Sequence, residues 1–298
     1  MPSTSCGNAD AISTWPVLGD AAKLAESSIQ AQPAGLRRSA SMYRNWLRLQ
    51  RLVNVLCHLG MGIAIATWRF PGMDENARLC RIQSWSRTLA KKLGIQIRVQ
   101  GVVPGLYPPN HLLLANHISW LDIFVLNTET VSRFVAKSEI RQWPVVGSLC
   151  HAAGTLFIER ERKRDTARVS NAMIDALRDG HCVAVFPEGT TSDGRCILPF
   201  RSSLLQAAID SQATIQPIYL RYVDSEGNWN DAPAYINEMS LSESLWRLLG
   251  ARGLVAEINF LAPFAVAGED RRTLTRYAET RIKAAHEALN SHHPSATS

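Results

Sequence analysis

The chain has 298 residues, of which 46% are hydrophobic, which is the composition of a globular protein able to bury a full core rather than of a disordered one. Its formal net charge of +6 and pI near 9.1 favour an anionic partner, but do not choose between a phosphate, a nucleic acid, an acidic protein and a membrane surface. The six cysteines form no Cys-x-x-Cys pair, so the sequence suggests neither a zinc site nor a disulfide framework, and reduced thiols in a cytosolic setting are the simplest interpretation.

The N-terminal segment differs in composition from the rest of the chain. Residues 1–40 are rich in Ala, Ser, Gln and Gly and show no sustained hydrophobic period. They do not resolve into a secretory signal. We therefore predict a disordered tail over residues 1–40.

A membrane-associating segment is predicted next. Five arginines and no acid lie between Arg37 and Arg51, and the seventeen residues from Leu52 to Trp68 carry no charge. About 17 to 20 apolar residues are needed to cross the hydrocarbon of a bilayer, so this segment is at the lower limit. Trp46 and Trp68 bracket it as interfacial anchors would.

The residues beyond Trp68 are also basic, through Arg69, Arg78, Arg81 and Arg87. The positive-inside rule then favours both ends of the segment on the cytoplasmic face. We predict membrane-associating helices over residues 41–93, embedded in one leaflet, with a helix near 75–93 as partner of the first. A buried helix of a soluble core is the alternative.

After Gly94 the pattern changes to alternating short apolar runs and amphipathic stretches. Strands are predicted near 95–99, 111–116, 132–137, 155–158, 182–186, 214–222 and 254–262, and helices near 119–126, 163–179, 200–210, 241–250 and 270–290. The alternation predicts an α/β domain over residues 94–290, a mixed, largely parallel sheet flanked by helices, with ligands at the strand ends. A flexible tail is predicted over residues 291–298.

The stretch Asn116-His117-Ile118-Ser119-Trp120-Leu121-Asp122 lies at a predicted strand-to-helix turn. If the helix begins at Ser119, His117 precedes it and Asp122 lies in its first turn, where the two side chains can meet. A neutral imidazole oriented by a carboxylate can act as a general base on a hydroxyl group. Alternatively, Asp122 is only the acid of a capping box that starts at Ser119.

Three further stretches follow the His-Asp pair in chain order. The strand Gly154–Arg160 ends on an arginine ahead of a basic cluster, Phe186–Ser192 is a strand end with an acid, a glycine and hydroxyls, and Ile215–Tyr219 starts a later strand. The guanidinium of Arg160 offers a planar fork that matches phosphate oxygens. Arg160 is equally compatible with a solvated member of its charge run.

Together, and in this order, the four stretches resemble the glycerolipid acyltransferase family, the lysophosphatidic acid acyltransferases of the bacterial membrane, over residues 95–225. The resemblance implies that His117 is the general base on the free hydroxyl of a lysophospholipid and that Asp122 orients it. It also implies that Lys137, in Phe134-Val135-Ala136-Lys137, faces the developing thioester oxyanion.

For the substrates, the resemblance implies that Arg160 binds the acceptor phosphate and that Glu188, Gly189 and Thr190 build the acceptor site. The acyl donor would be acyl-CoA or acyl carrier protein, with no metal or other cofactor. The expected partners are a lysolipid, the donor and an anionic membrane surface, with no nucleic acid. The expected location is the inner membrane, with the active site on its cytoplasmic face.

The chain departs from the family pattern at Thr191, where many members have an arginine after Glu-Gly-Thr. Either Arg195 or Arg201 replaces the lost phosphate contact, or the acceptor has another head group, as in the related enzymes that acylate lyso-ornithine lipid. Two functions of other classes also stay open at this stage. One is a non-enzymatic lipid-binding protein, and the other is a soluble hydrolase that uses the same pair to activate water.

Overall fold

The structure is a computed structural model, and it describes residues 34–142, 146–158 and 163–291. The chain divides into two units, Met1–Trp46 and Leu47–Ser298. The first long helix begins in the first unit and continues into the second. All side-chain contacts discussed below lie within the second unit.

The helices of the described chain are α1 (Ala34–Ala64), α2 (Glu75–Leu93), α3 (Asp122–Leu126), α4 (Val146–Ala152), α5 (Lys163–Arg178), α6 (Gln206–Ser211), α7 (Leu241–Leu249) and α8 (Arg271–Asn290). The strands are β1 (Ile95–Gly101), β2 (His111–Ala115), β3 (Arg133–Lys137), β4 (Leu156–Ile158), β5 (Cys182–Val185), β6 (Thr214–Val223) and β7 (Leu254–Phe260). Short 3-10 turns cover Phe70–Gly72, Ser138–Gln142 and Ser202–Leu205, and a π turn covers Ile65–Arg69.

These strands form a seven-stranded sheet in the order β1-β7-β6-β2-β5-β3-β4. Within the described residues the β6–β7 pair is antiparallel, and every other neighbouring pair is parallel. The predicted fold class, a mixed and largely parallel sheet flanked by helices, is therefore confirmed. Parallel neighbours place their carboxyl ends at one edge of the sheet, where ligands of α/β proteins bind.

The central strand β2 is buried on both faces. Leu113 and Ala115 belong to one hydrophobic cluster, and Leu112 and Leu114 belong to a second cluster on the other face. A strand that is covered on both faces has no solvent-facing side, so its residues need not alternate between apolar and polar. Residues 112–115 therefore form an uninterrupted apolar run. The run ends where the chain leaves the sheet, at Asn116.

The element boundaries agree with the predictions except at a few positions. The helix predicted near 200–210 is a 3-10 turn over Ser202–Leu205 followed by α6 from Gln206. The helix predicted from residue 119 begins at Asp122, and helix α4 was not predicted. The first helix starts at Ala34, so it overlaps the last seven residues of the tail predicted over residues 1–40. The rest of that tail, and residues 292–298 of the C-terminal one, lie outside the described residues.

Helix α1 has one face on the protein body and one face open. The helical stretch Asn45–Gly72, which continues from α1 through the π and 3-10 turns, is apolar and long enough to cross a membrane by composition, and 17% of its most apolar window is buried. The exposed side chains Leu49, Val53 and Leu56 recur at intervals of four and three residues, so they share one face of the helix.

The opposite face of α1 is fixed by polar contacts. Arg51 donates to the backbone carbonyls of Leu249 and Ala251 after helix α7. The His58 ring stacks on Trp85 of α2 at 4.7 Å, and each side chain bonds the other residue's carbonyl oxygen. The helix is therefore attached to the body over several turns.

Asn116 fixes the turn that follows β2. Its amide donates to the carbonyl of Leu220 (2.9 Å) and accepts from the N–H of the same residue (2.7 Å), so it pairs with β6 as a backbone group would. Its side chain is buried, and the interaction is therefore shielded from water. This pairing holds the start of the His117 turn against the next strand.

We expect Asn116→Ala to lower the free energy of unfolding by roughly 2 to 4 kcal/mol, because the buried N–H and C=O of Leu220 would both lose their partner. The matched control is Asn228→Ala, whose exposed amide bonds only to Asp224 and whose loss should cost less than about 0.5 kcal/mol. Denaturant unfolding measures both. Equal stability of the two variants would contradict the assigned role of Asn116.

Candidate active site

The candidate site lies at the carboxyl edge of the sheet. His117 follows strand β2 and Glu188 follows strand β5, and these two strands are parallel neighbours. Lys137 is the last residue of β3, and β3 pairs with β5 on the side of β5 opposite to β2. The sheet therefore brings three separate motifs of the sequence to one edge.

His117 and Asp122 meet directly. The ring Nδ1 of His117 lies 2.9 Å from Oδ2 of Asp122. A carboxylate can only accept, so Nδ1 carries the proton, and Nε2 of the neutral ring carries the lone pair. No hydrogen bond to Nε2 occurs among the described residues, and 19% of the His117 side chain is exposed. The ring is thus oriented as a general base with its basic nitrogen unblocked.

The helix begins later than predicted because Asp122 turns back over the preceding residues. Its Oδ2 accepts the N–H groups of Ile118 (2.7 Å) and Ser119 (2.9 Å). The bond to Ser119 resembles the acid half of a capping box, but Leu121 and not Ser119 is the N-cap residue, and it makes no side-chain cap. One carboxylate oxygen both closes the turn and orients the imidazole.

The other oxygen of Asp122 has a partner that the sequence did not reveal. Tyr222, near the end of β6, donates its hydroxyl to Oδ1 at 2.8 Å. Burial raises the pKa of Tyr222 well above its ordinary value, and the adjacent Asp122 charge raises it further, so the phenol keeps its proton. Asp122 is fully buried, and four donors compensate its charge.

Aromatic packing fixes the plane of the imidazole. The His117 ring stacks on Phe186, with centroids 3.9 Å apart and planes at 8°. Phe186 in turn stacks on Phe134 at 5.8 Å. With its edge held by Asp122 and its face held by Phe186, the ring has a defined orientation.

Glu188 is buried beside the histidine, with 4% of its surface exposed. Its Oε1 accepts the backbone N–H of His117 at 3.1 Å, and the backbone N–H of Leu198 also interacts with the carboxyl group, while Oε2 has no hydrogen bond of ordinary geometry among the described residues. Burial raises the pKa of Glu188 to about 8, and the charges of Asp122 and Glu279 act in the same direction. At neutral pH this side chain is therefore mostly a neutral acid that can donate a hydrogen bond.

The turn after Glu188 explains the next two residues. Gly189 has a φ of +73°, which favours glycine, as predicted. Thr190 is exposed at the surface of the turn. Thr191 donates its hydroxyl to the carbonyl of Tyr235, whose N–H bonds the carbonyl of Ile118. Thr191 thus connects the Glu188 turn to the loop at Tyr235, which bonds the His117 turn.

The arginines proposed as substitutes for that residue differ in their surroundings. Arg195 forms a two-pronged ion pair with Asp231 (3.1 and 3.2 Å) and lies 5.9 Å over the ring of Trp229. Arg201 instead places its guanidinium against Gly189, in the turn beside Glu188. Of the two, Arg195 is engaged by an acid, and Arg201 contacts the turn that follows Glu188.

An apolar cavity of about 210 Å³ opens on the side of the site where Phe134 lies. It runs between helices α1, α2 and α3, and its lining includes Gly62, Trp85, Phe124 and Leu149. Phe134 lines the cavity and stacks on Phe186, which stacks on His117, so two aromatic rings link the cavity wall to the base. A hydrocarbon chain matches such a lining.

Two predicted site residues cannot be placed in full. Arg160 lies outside the described residues, as does the side chain of Lys137, whose backbone ends β3. Their roles stay predictions. For the described residues, His117, Asp122, Glu188, Gly189 and Thr190 lie together at one edge of the sheet.

Comparison with known proteins agrees with this geometry. An acyltransferase family model matches residues 96–221. The chain is 38% identical to a 1-acyl-sn-glycerol-3-phosphate acyltransferase of Neisseria meningitidis over 80% of this chain and 92% of the relative. The chain belongs to the acyltransferase family. It is thus an acyltransferase, and the resemblance inferred from the four motifs is confirmed.

Two further comparisons bear on this acyltransferase. A lyso-ornithine lipid O-acyltransferase of Pseudomonas aeruginosa is 32% identical, again over 80% of this chain and 92% of the relative. The crystal structure of a 1-acyl-sn-glycerophosphate acyltransferase of Thermotoga maritima superposes with a TM-score of 0.63, covering 84% of this chain and 98% of the other at 20% identity. That likeness shows a shared fold.

We expect Tyr222→Phe to lower the turnover of the acyltransferase about tenfold with little change in the KM for acceptor, because Oδ1 of Asp122 loses a donor and the His117 ring loses its fixed partner. The matched control is Tyr219→Phe on the same strand. Its buried hydroxyl bonds only Asn290, so its turnover should stay within about twofold of wild type. Steady-state kinetics measures both, and equal turnover of the two variants would exclude a positioning role for Tyr222.

The raised pKa of Glu188 predicts a pH-dependent stability. Between its ordinary value of 4.5 and about 8, the folded protein keeps a proton that the unfolded chain has released, so this contribution is lost as pH rises through that range. We expect the free energy of unfolding of wild type to fall more steeply between about pH 5 and pH 8 than that of Glu188→Gln, which cannot titrate. Parallel stability curves in denaturant titrations would show that the pKa of Glu188 is not raised.

Proposed function

We propose that this acyltransferase moves a fatty acyl group from acyl-CoA or acyl carrier protein to the free hydroxyl of a lysophospholipid, with 1-acyl-sn-glycerol-3-phosphate as acceptor and phosphatidic acid as product. The observation that carries the proposal is the oriented His117 ring beside an apolar cavity. The similarity to the Neisseria meningitidis enzyme supports this choice of acceptor.

In the proposed reaction the acceptor hydroxyl gives its proton to Nε2 of His117 as its oxygen attacks the thioester carbonyl carbon. Asp122 stabilises the imidazolium that forms. The tetrahedral intermediate then collapses, the carbon–sulfur bond breaks, and the imidazolium returns the proton to the leaving thiolate. The hydroxyl of Ser192 donates to the backbone carbonyl of His117 at 3.4 Å and not to its ring, which favours direct transfer over an acyl-enzyme.

Other side chains have proposed roles around this reaction. Lys137 would stabilise the developing oxyanion, and Arg160 would bind the acceptor phosphate. Glu188, as a neutral acid beside the backbone of His117, would hydrogen-bond an oxygen of the acceptor. Its unpartnered and buried Oε2 supports this role, because a buried polar atom is otherwise costly to leave without a bond.

The apolar cavity would hold an acyl chain, and helix α1 would keep the enzyme at the membrane surface. The exposed apolar face of α1 supports a membrane contact, and Trp68, with 80% of its surface exposed, lies at the end of this helical segment as an interfacial anchor would. The polar contacts of Arg51 and His58 tie the other face to the body. A helix held in this way favours an arrangement within one leaflet of the inner membrane, on its cytoplasmic face.

Lyso-ornithine lipid is the second candidate acceptor. The observation in its favour is Thr191, which stands where many relatives have an arginine and whose hydroxyl donates a hydrogen bond to the carbonyl of Tyr235. The 32% identity to the Pseudomonas aeruginosa enzyme points the same way. Both acceptors present a hydroxyl for acylation and an anionic group, so the reaction chemistry is the same.

The test is transfer from a labelled acyl thioester to a panel of lysolipids, read by mass spectrometry. We expect His117→Ala to reduce transfer at least a thousandfold, because the hydroxyl loses its base. His181→Ala is the control, since His181 precedes β5 at the opposite edge of the sheet and should leave the rate unchanged. Retention of most of the rate by His117→Ala would end the proposal, and thioester loss without an acylated lipid would indicate a hydrolase.

A further inference from the structure

Arg201 lies over the turn that follows Glu188. A Cβ atom placed on Gly189 would come within 2.7 Å of the guanidinium carbon of Arg201, so the two groups are in direct contact. The backbone fixes this approach, because the N–H of Arg201 donates to the carbonyl of Pro187 at 2.9 Å. Glu188 itself bonds the backbone of His117. The guanidinium thus contacts the turn whose acid is hydrogen-bonded to the backbone of the base.

Arg201 is an exposed cation beside this turn. Among the described residues its guanidinium makes no ion pair, and the residue is exposed. Other arginines of the described chain are already engaged: Arg195 with Asp231, and Arg221 with Glu257 at 2.6 Å. A fixed, uncompensated guanidinium at the rim of an active site is suited to bind an anion through parallel N–H donors.

The lack of an arginine at position 191 leaves this end of the site without its usual cation. Thr191 is neutral, and its hydroxyl is bound to Tyr235. We propose that Arg201 is the specificity-determining residue for the anionic group of the acceptor, whether phosphate or carboxylate, in place of the missing arginine. This inference rests on the proposed function and adds to it the residue that selects a charged head group.

The inference can be tested without turnover by equilibrium binding in detergent micelles, on a His117→Ala background. Three ligands separate the chemistries: lysophosphatidate carries a phosphate, lyso-ornithine lipid carries a carboxylate, and monoacylglycerol carries no anion. The variants are Arg201→Gln, Arg201→Lys, which keeps the charge but loses the fork, and, as the control, Arg195→Gln, which removes an exposed arginine already paired with Asp231.

We expect Arg201→Gln to weaken binding of the anionic acceptor tenfold to a hundredfold and to leave monoacylglycerol within twofold. Arg201→Lys should fall between wild type and Arg201→Gln, and Arg195→Gln should change nothing. Weaker binding of only one anionic ligand would support the inference and identify which anion Arg201 selects. Equal losses for all three ligands, or no loss for either anionic one, would overturn it.

The same variants, assayed for transfer with His117 restored, separate this inference from the proposed function. If wild type acylates an anionic lysolipid and Arg201→Gln raises the KM for it with a smaller effect on turnover, both hold. If wild type acylates none of the lipids, the proposed function fails, while selective loss of anion binding in Arg201→Gln still supports the anion site.

Discussion

The candidate site depends on one buried carboxylate. Asp122 has no exposed surface, and an uncompensated charge in such a place would cost several kcal/mol. Its four donors come from the turn before helix α3, from the ring of His117 and from Tyr222 a hundred residues later. The four hydrogen bonds that compensate the buried charge of Asp122 also fix the imidazole of His117. The stability of the turn and the orientation of the base therefore have the same cause.

The second acid of the site has the opposite environment. Glu188 is almost as buried as Asp122, but one of its oxygens lacks a donor, and its pKa is raised to about 8. Glu188 is therefore suited to donate a hydrogen bond at neutral pH, and burial is the main reason. Asp122 instead accepts hydrogen bonds from four donors and orients the base.

The sheet and helix α1 give the site its two kinds of surroundings. Polar groups gather at the carboxyl edge, where β2, β5 and β6 end side by side. Apolar side chains lie beside this edge, where α1 and α2 line the apolar cavity. The stacked His58 and Trp85 hold these two helices together at the cavity wall. An aqueous head group and an apolar chain can thus be accommodated a short distance apart.

Much of this arrangement was readable from local sequence. The apolar run before His117, the alternation of strands and helices, and the Glu-Gly-Thr turn each have a cause within a few residues, so the fold class could be predicted. The same local patterns put His117 and Glu188 just after strands, where the structure has them, and the roles of the site residues stay predictions. Local pattern was less reliable at boundaries. Asp122 folds back on Ile118 and Ser119, and the helix starts three residues later than Ser119 would suggest.

Contacts between distant segments were decided by tertiary structure alone. Tyr222 is an ordinary aromatic residue of an apolar strand until the pairing of β2 with β6 brings it to Asp122. Likewise, Arg195 and Arg201 look equivalent in sequence, and only the fold gives Asp231 to one and Gly189 to the other. The sequence by itself determined which chemical groups the site contains, because motifs are local. The tertiary structure decided which of the charged groups are paired with an opposite charge or a donor and which are not. The reason is that these partners come from segments far away in the sequence.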